Sequence, residues 1–130
     1  MATLTAQQAN ELSTHFLTIA EAIGAYRYQH FDNLLKAENQ QIKDLHTAIL
    51  NYADQLYTLS ATLVIDDVEA ALYTIAAVTT EIKSTYKILQ NVQKAINVAA
   101  ASVTLGEAIL SRDPKEVIKA VKGLEQNWKS

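Results

Sequence analysis

VEAALYTIAAVTTEIKSTYKILQNVQKAINVAAASVTLGEAIL, residues 68–110, contains no proline and returns a seam-forming side chain every third or fourth position. The series runs Val68, Leu72, Ile75, Thr79, Ile82, Tyr86, Leu89, Gln93, Ile96, Ala100 and Val103, stepping by four and three in turn. Side chains that recur about every 3.5 residues line one stripe of a helix, and the stripe needs a partner helix to cover it. The expected architecture is therefore all-α: an antiparallel bundle of four helices with one long central helix at about 67–111.

Composition agrees. The 130 residues are 49% hydrophobic and 19% charged, with three glycines and a single proline, too few for a loop-rich or sandwich fold. That length suits one domain, 1–130, and no internal repeat or low-complexity linker divides it. A net charge of −3 argues against nucleic acid as a ligand, because phosphate neutralisation needs clustered Lys and Arg. Without cysteine there is no thiol chemistry, disulfide or Cys-ligated metal. MATLTAQQANELST has neither the basic nor the apolar region of a secretory signal, so a cytoplasmic location is expected.

Helix boundaries are written in local chemistry. Thr5 with Gln8 and Asp66 with Glu69 have capping-box spacing. Asp113-Pro114-Lys115-Glu116 is the clearest start, since Asp caps and Pro114 occupies a first turn where its missing N–H goes unmissed. Between the seam of Leu12, Phe16, Ile19, Ile23 and Tyr26 and that of Leu35, Ile42, Leu45 and Ile49 the phase slips, predicting a tight turn at about 31–33. Helices are thus expected at about 5–30, 33–64, 67–111 and 114–127. Short connections make sequence neighbours antiparallel, with the second and third forming a hairpin about Ile65 that brings Tyr57 near Tyr73.

The third helix also carries apolar residues off its seam, and beyond about Asn97 it would overrun the first two. An uncovered apolar overhang marks an interaction surface, so a protein partner and self-association are expected. Val98, Ala99, Ala101 and Val103 form that surface on the overhang. The last helix is basic and amphipathic, with Val117, Ile118, Val121, Leu124 and Trp128 on one face. It contributes Lys115, Lys119, Lys122 and Trp128 to a surface suited to a partner groove or an anionic membrane.

No constellation carries chemistry. Gly24, Gly106 and Gly123 are isolated, so no glycine loop cradles phosphate, and no G-x-S-x-G elbow activates a serine. Glu11, His15 and His46 fall at similar levels if the chain turns near Asp32, but paired Glu-x-x-His motifs are missing. Asp66, Asp67 and Glu69 are explained by the helix dipole. No catalytic residue, metal or cofactor is assigned. The expectation is a non-enzymatic bundle acting through protein–protein interaction, as an adaptor, an inhibitor or immunity-type protein, or an assembly subunit. The alternatives are a membrane-active protein using residues 95–110 with the basic C-terminal helix, and a small-ligand carrier.

Overall fold

In a computed structural model that describes residues 6–58, 65–84 and 91–129, the stretch from 68 to 110 is two helices rather than one. The elements are α1 (Ala6–Gln29), a 3-10 turn (Phe31–Asn33), α2 (Lys36–Tyr57), α3 (Ile65–Ser84), α4 (Val92–Ser111) and α5 (Pro114–Lys129). The fold is an all-helical bundle, with five α-helices among the described residues where periodicity implied four. Asn91 makes the division. Its backbone is extended, with φ −155° and ψ 167°, and its side chain accepts from the Lys94 amide at 2.9 Å. A residue in that conformation starts a helix and cannot lie inside one.

The break resets the phase. In α3, Ile75, Thr79 and Ile82 are buried as the heptad requires. In α4, Gln93 and Ala100 are exposed and Val103 is half-buried. Ile96 of the seam stays buried, and the rest of the burial passes to Ala95, Val98, Ala99, Ser102, Leu105, Gly106, Ala108 and Ile109. Residues 85–90, with Tyr86 and Leu89 of the expected seam, lie outside the described residues.

The overhang disappears with the long helix. Helices α3 and α4 have 20 residues each against 24 and 22 in α1 and α2, about 30 Å against 33–36 Å at ~1.5 Å per residue. Helix α1 lies beside α2, α2 beside α4, α4 beside α5, α5 beside α3, and α3 beside α1, while α1 also meets α4 across the middle. Among the described residues α2 and α3 share no such extensive contact, so the expected hairpin between them is replaced by a pairing of α2 with α4. Tyr57 and Tyr73 are both largely exposed. The bend itself, at 59–64, lies outside the described residues, as does Thr5.

Two glycines account for the closeness of the helix crossings. A Cβ on Gly106 would lie 2.6 Å from Cγ of Tyr52, so only glycine lets that ring rest on α4. Gly24 similarly faces the His46 ring, 3.2 Å from an added Cβ. Buried hydroxyls are satisfied: Ser13 donates to the Ala53 carbonyl across the α1–α2 interface at 2.7 Å, and Thr79 and Ser102 donate one turn back along their own helices.

The ends follow local chemistry except at α3, which already includes Ile65, so Asp66 lies inside its first turn and is not the cap that its spacing to Glu69 implied. The turn falls at 31–33 as the phase slip implied, but α2 starts at Lys36 rather than 33, with Glu38 accepting from the Leu35 amide at 2.9 Å. Asp113 accepts from the Lys115 amide at 3.0 Å and starts α5 at Pro114. Before it, Arg112 adopts the left-handed conformation, φ 63°, that ends α4.

Candidate functional site

The residues assigned to an interaction surface divide three ways. Val98 and Ala99 are inside the chain's own core, 1% and 0% exposed, because the break at Asn91 turns that face of α4 inward. They are therefore not part of a free surface. Ala101 and Val103 are half-buried at the edge, and Lys115, Lys119 and Lys122 are exposed on α5. Trp128 acts within the fold: its Nε1–H donates to the Glu81 carboxylate of α3 at 2.6 Å, and Lys94 of α4 lies 5.1 Å from its ring centroid. One indole thus joins three helices.

Ala101 and Lys119 meet in a groove along the outer side of the α4–α5 hairpin, with a volume of about 630 Å³. Its floor is made of small residues, Ala100, Ala101, Ala108, Ala120 and Gly123, and an added Cβ on Gly123 would touch nothing within 4 Å. Glu107, Glu116 and Lys119 edge it with both signs of charge, beside Asn97, Thr104 and Asn127. Antiparallel pairing through the short Arg112-Asp113 connection brings these residues together. Gly123 of α5 and Glu107 of α4 come to one groove only through that pairing.

Burial shapes the ionisable groups. The Tyr52 hydroxyl is pushed up from its usual range by desolvation, and further by the neighbouring Glu107 carboxylate. Tyr26 is also raised, by burial and then by Glu38, and its ring stacks on His30 at 4.2 Å. Desolvation lowers His15 despite the opposing pull of Glu11. His15 faces a second cleft, between α1 and α3, while His46 packs on Gly24. Glu11, His15 and His46 therefore do not assemble, and among the described residues no three His, Asp or Glu side chains are placed to hold a metal ion.

Residues 95–110, the segment considered for lipid, contain the most deeply buried part of α4. Among the described residues no helix is long and apolar enough to cross a membrane. No protein-family model, curated protein or solved structure matches the chain.

Proposed function

We propose that this protein is a non-enzymatic bundle that works through protein–protein contact, with the α4–α5 groove receiving one α-helix of a partner. The groove carries the reading. Its lining extends from Asn97 to Ser111 on α4 and from Glu116 to Asn127 on α5, about 21 and 17 Å at ~1.5 Å per residue. That is three to four helical turns. A floor of alanine and glycine lets an incoming helix approach closely and seat its larger apolar side chains at i, i+3 or i+4, and i+7. Glu107 and Glu116 match basic flanks on that helix, and Lys119 an acidic one.

Membrane insertion of residues 95–110 has less support, because it would strip Leu105, Gly106 and Ile109 from the core that they complete. The test places a photo-crosslinking residue at Thr104, in the groove, and at exposed Glu21, outside it. The expected crosslink from Thr104 maps to a helical segment with an apolar stripe, and disappears when Gly123→Phe fills the groove. Crosslinks that also arise from Glu21, or that persist in Gly123→Phe, would reject the groove. A crosslinked peptide from the chain itself would identify the partner as a second copy, which light scattering would register as a dimer.

A further inference from the structure

Glu11, Leu12 and His15 share one face of α1, and Glu69, Leu72, Tyr73 and Ala76 recur at i, i+3, i+4 and i+7 along α3. These faces diverge to leave a cleft of about 270 Å³, distinct from the α4–α5 groove. Its apolar part is Leu12, largely buried at the bottom, with half-buried Leu72 and Ala76. Its polar part is two carboxylates on opposite walls, Glu11 and Glu69, with the His15 and Tyr73 rings one turn along from each and the Gln8 amide at the end of the α1 wall. Burial keeps His15 in its uncharged form near neutrality, so the carboxylates set the charge of the cleft.

A negative rim over a hydrocarbon floor selects a ligand that is cationic at one end and apolar at the other. An anion would meet two carboxylates. A bare metal ion would lack a third ligand, since no three ligating side chains gather among the described residues.

We propose that the α1–α3 cleft binds a small organic amine, its ammonium held between Glu11 and Glu69 and its hydrocarbon laid on Leu12, Leu72 and Ala76. Tyr73 offers its ring face to the cation from the solvent side. The proposal is independent of the helix-docking groove, which lies on other helices.

Phenethylamine, with nine non-hydrogen atoms, is the probe, and 2-phenylethanol, the same shape without the charge, is its control. Both are titrated into the full chain at about pH 7.5, where the amine is protonated, while methyl resonances of Leu12, Leu72 and Ala76 are followed by NMR. The amine is expected to shift these methyls saturably with an affinity about three- to tenfold above the alcohol, as two exposed ion pairs supply. Glu11→Gln with Glu69→Gln should bring the amine down to the alcohol's affinity while circular dichroism melting stays unchanged, both positions being exposed on helices. Equal affinities for amine and alcohol in the native chain would overturn the proposal. So would the absence of saturable shifts up to about 10 mM.

Discussion

Helices α3 and α4 carry the two halves of one continuous heptad pattern, and they use it differently. In α3 Ile75, Thr79 and Ile82 of the pattern are turned to the core, with Ala71 and Val78 buried beside them. In α4 Ile96 stays buried, but the heptad residues Gln93 and Ala100 face solvent, while Leu105 and Ile109, off the pattern, are fully buried. The difference lies at Asn91. A seven-residue repeat carries directional meaning only while the helix beneath it is unbroken, and one N-cap lets the next helix choose a new face. Helix α4 can choose because it is apolar on several sides and has α1, α2 and α5 to cover them.

The largest test of this contrast is a pair of truncations in α4. Leu105→Ala should destabilise the fold by about 2–5 kcal/mol, as emptying a fully buried site does. Val103→Ala, on the heptad but half-buried, should lose less than about 1.5 kcal/mol. Denaturant melts measure both. A larger loss at Val103 than at Leu105 would restore the uninterrupted seam.

Next in size is Gly106→Ala. The added methyl would sit 2.6 Å from the Tyr52 ring, so the ring must move or the helices part, at a cost of about 1–3 kcal/mol. Gly123→Ala, where the methyl meets open space, should instead stabilise by about 0.5–1 kcal/mol through helix propensity alone. Opposite signs from the same substitution on adjacent helices would show that α4 is held by its crossing with α2. A neutral result at Gly106 would mean that the crossing is looser than drawn.

These contrasts also mark how far the sequence could be read. The all-helical class, the turn at 31–33 and the start at Asp113-Pro114 are local matters, settled by periodicity, a phase slip and a cap. The division at Asn91 was equally local but weakly marked, because Lys94 rather than Glu or Gln follows three residues later, leaving no capping box to see. Pairing of α2 with α4 was not legible, since nothing near Tyr52 announces that Gly106 will receive it. The site suffers similarly. Ala101 and Lys119, named from the sequence, line the α4–α5 groove, but Val98 and Ala99 were placed on a surface because an apolar residue in an apolar helix does not state which neighbour covers it. The α1–α3 cleft was invisible, its walls being 54 or more residues apart from Glu69 back to His15.

Asn91→Ala is expected to cost about 1 kcal/mol, the usual loss when a capping side chain is removed. Its sharper readout is where the loss occurs. Amide exchange should quicken over the first turn of α4 and leave α3 unchanged if the two are separate helices. Equal quickening in both would indicate that they behave as one.

The smallest effect concerns α3 alone and comes from pH. His15, half-buried against the α3 face of Leu72 and Tyr73, has a pKa below its ordinary 6.5, because desolvation outweighs the attraction of Glu11. Glu69 is the other acidic group lining that cleft. With the folded pKa beneath the unfolded one, the unfolded chain binds the extra proton first. Stability is therefore fully present above pH 6.5 and is lost as pH falls through 6.5 toward the folded value. Protonation charges a group that lines the cleft between α1 and α3, so α3 should feel it before α4. Melting temperature should fall on acidification from about pH 7.5 to 5.5, with exchange in α3 rising ahead of that in α4. His15→Gln should flatten that part of the slope while leaving losses from protonated carboxylates at lower pH. An unaltered slope in His15→Gln, or equal exchange in both helices, would show that His15 does not govern how α3 is held.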